Sequence, residues 1–246
     1  MFTLFERFYL VNLLGMASAA VLFSSALLGQ TQVASPLESV APGTSAADTP
    51  AQQPESKRLF GVVPNYRTSP TLHPYVPIST GEKFKLASQD AFDRGTVVLA
   101  AAFAGEAQLT KASPSFGQGA AGYGRYFGTS YADYVIGDFM TEGIYPTLLH
   151  QDPRYFRKGK GSGWSRFSYA VGQIILTHTD EGKNTFNYSE ILGNSTAVAI
   201  SMAYYPDSRD ASDAVIKLVD QLSVDAASNV LKEFWPEILR KFSRKH

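Results

Sequence analysis

Hydrophobic and polar positions divide the chain into four stretches of different character. Residues 8–29 carry no charged side chain. That run exceeds the roughly 7–15-residue core of a cleaved export signal and matches the ~20 residues needed to cross a bilayer. Residues 30–56 are rich in Ala, Pro, Ser, Thr and Gln, with few large apolar side chains. Such a composition buries too little surface to offset its ordering entropy, so a disordered linker is expected. In residues 57–78, Leu59, Phe60, Val62, Val63, Tyr66, Leu72, Tyr75 and Val76 are punctuated by Pro64, Pro70, Pro74 and Pro77. Prolines at that density forbid a helix, which predicts an extended segment with its aromatic side chains turned inward. From residue 79 onward the apolar positions recur every three or four residues, the period of an amphipathic helix.

The spacing predicts helices over 79–109, 129–150, 162–179, 187–204 and 211–244. The first opens on a capping box, Ser79-Thr-Gly-Glu82. Pro146 is expected to kink the last turn of the second, and Pro236 to bend or split the fifth. No alternation of period two extends far enough to support a strand, and no repeat is visible. The expectation is an all-α domain over residues 79–246, an antiparallel bundle of about five helices. Before it lie a signal peptide or signal anchor (1–29), the disordered linker (30–56) and the extended Pro-rich segment (57–78). Cleavage would fall between residues 29 and 35. Retention would leave the domain tethered to a membrane by residues 8–29. The longest uncharged helical stretch, 191–205, falls short of the ~18 residues of a spanning helix. A water-exposed or membrane-associated bundle is therefore favoured over a polytopic membrane protein, in which intrahelical carboxylates would line a pathway.

Composition narrows the chemistry. Lys plus Arg and Asp plus Glu are both 22, giving zero net charge, which argues against a nucleic-acid partner. No cysteine is present, so disulfides, thiol catalysis and cysteine-ligated metals are excluded. Several polar residues stand on otherwise apolar helix faces. Asp138 and Glu142 are i,i+4 neighbours whose like charges need compensation by an Arg, a metal or solvent. Asn187, Glu190, Asn194 and Ser201 share one stripe, and Glu233 and His178 also fall on apolar faces. Asp138, Glu142, Glu190, Glu233 and His178 could meet inside the bundle as an acid–base or metal site. The alternative is that these stripes face water or bond to Arg154, Arg157 or Arg166. The Glu-x-x-His pairs of a di-iron site are missing, and no metal ligand set is assigned. Two His-x-Asp triplets, His150-Gln-Asp152 and His178-Thr-Asp180, are weak signals that a helix dipole also explains. If the protein is an enzyme, a hydrolase or metal-dependent activity would draw on Asp138, Glu142, His150, His178 and Glu190. The glycine run 117–124 lacks the preceding strand of a phosphate loop and suits close helix approach or a hinge.

The most distinctive segment runs from Asp152 to Arg166 and mixes Arg154, Tyr155, Arg157, Lys158, Lys160, Trp164 and Arg166 with glycines. This combination suits anionic lipid headgroups or a phosphorylated ligand; the alternative is an interhelix loop whose aromatics pack on the bundle. The words Phe116-Gly-Gln-Gly119, Gln151-Asp-Pro-Arg-Tyr-Phe-Arg157, Asn187-Tyr-Ser-Glu190 with Leu192-Gly-Asn194, Tyr204-Tyr-Pro206 and Glu233-Phe-Trp-Pro236 resemble a group of exported bacterial envelope proteins. The resemblance covers roughly residue 57 to the C-terminus. It implies a periplasmic or envelope location and supplies no activity, cofactor or catalytic residue. The resulting expectation is an exported, envelope-associated structural or binding protein, with a membrane surface or an envelope component as its partner.

Overall fold

The structure, a computed structural model, describes residues 57–243, with side chains through residue 241. The expected signal and linker lie outside the described residues. The described chain is mostly helical with a few short strands.

The Pro-rich segment is extended. Strands β1 (Arg58–Leu59) and β2 (Val63–Pro64) form an antiparallel hairpin. Its turn requires the left-handed conformation at both Phe60 (φ 51°) and Gly61 (φ 73°). Strand β3 (Thr68–Ser69) follows. Phe60 meets the Trp235 ring edge-on at 4.5 Å, and Leu59 is fully buried, so the segment is pinned by its apolar side chains.

Helix α1 (Thr80–Ala91) carries the complete capping box: the Ser79 hydroxyl accepts from the Glu82 amide, and Glu82 accepts from the Ser79 amide. The single helix expected over 79–109 is in fact two. Asp93 caps a second helix, α2 (Arg94–Thr110), by accepting from the Gly95 amide at 2.6 Å. Arg58 Nε and the Tyr66 hydroxyl also donate to Asp93, at 2.8 and 2.9 Å. Arg58 and Tyr66 thus fix Asp93 as a cap, and its extended backbone (φ −70°, ψ 142°) cannot continue α1. Gly95 permits the contact, since a Cβ there would lie 1.6 Å from the Val62 carbonyl oxygen.

Helix α3 (Gly119–Asp138) starts about ten residues before the predicted 129, because the glycine run is its first turns rather than a hinge. It packs along α2, and the Tyr126 hydroxyl donates to the Ser113 carbonyl at 2.7 Å. A π-helical turn (Phe139–Ile144) separates α3 from the short α4 (Tyr145–Leu148). Strands β4 (Gln151–Asp152) and β5 (Tyr155–Phe156) follow, then α5 (Gly163–Gly172). The helix expected over 162–179 stops at Gly172. Beyond it β6 (Leu176–Thr179) turns back as β7 (Asn184–Phe186), where β-branched Ile175, Thr177 and Thr179 favour a pleated surface. Strand β4 pairs with β6, and β3 pairs in parallel with β5. Each of these strands has two to four residues, too short for period-two alternation to emerge in the sequence.

Helix α6 (Tyr188–Ser201) is capped by Asn187, and α7 (Ala211–Ser243) runs unbroken through Pro236. The π turn packs against α1 and α6, and α7 against α5 and α6. No helix among the described residues is long and apolar enough to cross a membrane. The apolar part of the interior leans on alanines (Ala87, Ala91, Ala100, Ala104, Ala170 and Ala197), and much of the rest is polar.

Gly95→Ala drives a methyl group into the Val62 carbonyl and should cost about 3 kcal/mol. For a domain of this size that lowers Tm by roughly 6–12 °C in a thermal melt.

Candidate functional site

Two polar centres of the interior share helix α7. The first surrounds the π turn. Glu142, at 0% exposure, sits in that turn; Asp90 enters from α1, Asp138 from the end of α3, Glu190 from α6, and Asp225 and Lys232 from α7. Arg67 reaches in from the Pro-rich segment, its Nε 2.9 Å from Glu142 Oε1 and 3.6 Å from Asp90 Oδ2. The short contact lies off the N–H direction, so it is an ion pair rather than an aligned hydrogen bond. Both Glu142 oxygens and Asp90 Oδ1 are left without a donor. Asn194 donates to Glu190 Oε1 at 3.1 Å and to Asp225 Oδ2 at 3.3 Å, bringing those two carboxyls together.

Electrostatics follow from burial. Desolvation raises the pKa of Asp90, and lifts those of Asp138, Glu142 and Glu190 well above the ordinary carboxyl range. Arg67 pulls each of them the other way without prevailing. Neighbouring acids add to the rise: Asp90 acts on Glu142 and Asp138, and Asp225 on Glu190. Burial opposes the charge on Arg67, but the surrounding carboxylates hold it protonated. Lys232 is pulled down to about 8, by burial first and Arg67 second, against the carboxyls. Chemically this is a set of carboxyls whose neutral form burial favours, with Arg67 as their counter-charge. A cavity of about 30 Å³ adjoins it, lined by Arg67, Thr141, Asn187, Glu190, Asp225 and Asn229 among others. That holds a water molecule or two, whereas organic ligands occupy pockets of roughly 300 Å³ or more. No group of three or more His, Asp or Glu residues among the described residues is arranged to hold a metal ion.

The second centre is built around Glu233, also at 0% exposure. Its carboxylate accepts from Tyr155 Oη (2.8 Å), Arg166 Nε (2.8 Å) and the Lys158 and Gly159 amides (2.9 and 2.8 Å). Burial would raise its pKa, but these donors outweigh burial and hold the carboxylate below its usual value. Arg166 also pairs with Glu237 and donates to the Glu233 carbonyl.

Of the carboxyls singled out from sequence, Asp138, Glu142 and Glu190 share the first centre, while Glu233 belongs to the second and His178 to neither. His178 is buried with Nδ1 unpartnered, edge-on to Phe156 at 5.2 Å, and burial lowers its pKa. His150 is exposed, its Nδ1 3.8 Å from Asp180 Oδ2. The two His-x-Asp triplets are partners across a ladder: Asp152 stands opposite His178, and the Asp180 amide donates to the His150 carbonyl. Their pairing is a strand contact.

The basic loop divides between inside and outside. Arg154 clamps Asp152 and stacks over Phe156 at 5.0 Å; Arg157 donates to the Lys232 carbonyl; Tyr155 and Arg166 hold Glu233. Lys158, Lys160 and Trp164 remain outside, Trp164 at 76% exposure and stacked on Phe167 at 5.4 Å. Lys158 Nζ donates to Ser165 Oγ.

Sequence reasoning missed Arg67, Asp90, Asp225 and Lys232. Asp225, Asn229 and Lys232 follow an i, i+4, i+7 spacing, a stripe that helical phase alone could have revealed. Arg67 lies in a segment without helical phase and carried no local signal.

No family model matches the chain, and neither does any curated protein or solved structure.

Replacing Glu233 by Ala leaves Arg166, 6% exposed, without its buried counter-charge. The expected loss is about 3–5 kcal/mol, read as a lower midpoint in urea unfolding.

Proposed function

We propose that this domain is a binding module that docks on an anionic lipid surface of the cell envelope through the edge formed by α5. The observation that carries the reading is the exposed, stacked pair Trp164 and Phe167 beside Lys158 and Lys160. An amphipathic aromatic ring suits the headgroup region, and nearby lysines add attraction to anionic lipid. Val171 and Ile175, both exposed, continue the apolar stripe along α5 and past its end. In this reading Glu233 and Arg166 hold the loop in place, and the other helices form an antiparallel bundle behind it. The expected export signal and the resemblance to exported envelope proteins fit a membrane facing the non-cytoplasmic side.

Flotation with phosphatidylglycerol-containing vesicles tests this, using the chain from residue 30 onward so that the apolar run 8–29 cannot anchor it. Binding should fall as salt rises. Trp164→Ala and Phe167→Ala should each weaken it ~10-fold, the loss of about 1.4 kcal/mol of buried aromatic surface. Lys160→Ala should cost about 1 kcal/mol. Failure to float with any anionic vesicle, or flotation unchanged by both aromatic substitutions, would sink the reading.

A further inference from the structure

The first polar centre has more acid than base. Among the described residues, buried Asp90, Glu142 and Glu190 and half-buried Asp138 and Asp225 face Arg67 and Lys232 as cations, a surplus of three carboxyls. Were all ionised, the three buried carboxyls alone would outnumber the two cations, and burying even one uncompensated charge costs several kcal/mol. Beyond these cations, the described residues offer Glu190 and Asp225 the Asn194 amide. Apart from the off-axis Arg67 ion pair to Glu142 Oε1, the Glu142 oxygens and Asp90 Oδ1 receive no aligned hydrogen bond from the described residues, as ionised acceptors need. Asp90 lies beside Glu142, and Glu190 beside Asp225, which are the arrangements in which one carboxyl donates a proton to the next.

We propose that this cluster is a proton store: at neutral pH its surplus carboxyls are held as neutral acids, and the seating of α6 and α7 against the π turn depends on those protons. The inference stands independently of what the α5 edge binds. Elements from across the fold contribute to it: Arg67 from the extended segment, Asp90 from α1, Tyr134 and Asp138 from α3, Glu190 from α6, and Asp225 and Lys232 from α7. The π turn itself fits the role. Its extra residue per turn places Glu142 inward, and Gly193 of α6 is pressed against it so closely that a Cβ there would meet Thr141 Cγ2 at 2.8 Å. Charge appearing on Glu142 therefore has little room to draw in water without moving α6. Through α7 the centre is coupled to the basic loop. Lys232 is in the cluster, its carbonyl accepts from Arg157, and the next residue, Glu233, holds the Lys158 and Gly159 amides.

The sign of the pH dependence is fixed by the direction of these shifts. A carboxyl with a raised folded-state pKa binds a proton that the unfolded chain has already lost above its ordinary value. Stability is then highest on the acid side and falls as pH rises toward the raised value. Lys232 acts oppositely, its lowered pKa relieving the fold between about 8 and its ordinary value. His178, also lowered, destabilises the fold only as pH drops through its ordinary value near 6.5. Between pH ~6.5 and ~8 the carboxyls dominate.

Thermal melts of the purified full chain across that window, with Glu142→Gln and Glu190→Gln alongside, test the proposal. Wild type should lose ~3–5 °C per pH unit for each proton held. Glu142→Gln, a neutral isostere, should fold and flatten that slope, with Tm at the alkaline end equal to or above wild type. Urea unfolding at pH 7, followed with an indicator dye in weak buffer, should release protons, and fewer from either variant. A wild-type Tm that is flat or rises over the window, no proton release, or a bound divalent metal at stoichiometric level in elemental analysis would each overturn the proposal. If either variant fails to fold, the wild-type slope and proton release still decide it. None of these readouts involves vesicles, so loss of lipid binding would leave this inference standing, and the reverse.

Discussion

Putting carboxyl groups into a dry interior is the constraint to which the rest of this structure answers. Desolvating a carboxylate is so costly that its neighbours must be cations, donors or protons. Two centres in one domain use different solutions. Glu233 is saturated with donors and stays ionised, whereas Glu142 has no aligned donor and Glu190 only the Asn194 amide, and burial pushes both toward the neutral form. The contrast is local in origin. Glu233 faces a glycine-containing loop whose amides point at it, with Gly159 at φ 65° allowing two successive N–H groups to converge. Glu142 faces helices, whose amides are already spent on their own carbonyls, so only long side chains such as Arg67 can reach it.

That difference explains why the Pro-rich segment matters. It is too short and too broken to form a core of its own, yet it delivers Arg67 to the centre and Arg58 to Asp93. One arginine supplies countercharge to acids from several helices; the other fixes the break between α1 and α2. Its aromatic side chains do turn inward, Phe60 against Trp235 and Tyr75 onto Phe156 at 5.9 Å. The apolar contacts position the segment, and the arginines are what it carries.

Legibility in the sequence follows the same division. Local signals translate directly: the capping box at Ser79, the helix beginning at Asn187, the proline-enforced extension and the polar stripe of α6 are all where the residues imply. Glu142 and Glu190 are recognisable as anomalous because a carboxyl on an apolar face needs an explanation. What sequence could not supply are the partners that come from afar. Asp93 looks like a residue inside a helix until Arg58 and Tyr66 hold it as a cap. The π turn at residues 139–144 has no signature in its own residues; it is sustained by the close fit of Gly143 on Phe84 and of Gly193 on Thr141. The basic loop misleads in the other direction. A run of arginines and aromatics suggests a surface, and most of its arginines are committed to buried acids instead.

What remains outside is therefore informative. Once Arg154, Arg157 and Arg166 are tied down, the exposed face of the loop is Lys158, Lys160 and Trp164, backed by the apolar stripe of α5. An arginine paired to a buried acid contributes rigidity, and a lysine on a glycine-flanked loop contributes charge that can adjust to a soft partner. The same dozen residues thus separate the two jobs, with the fork-shaped cations facing in to fix geometry and the point charges and the indole facing out. A surface built this way owes its shape to Glu233, and one residue earlier along α7 Lys232 reaches the acid cluster while its carbonyl accepts from Arg157. The chemistry of the interior and the presentation of the exterior are successive positions on one helix.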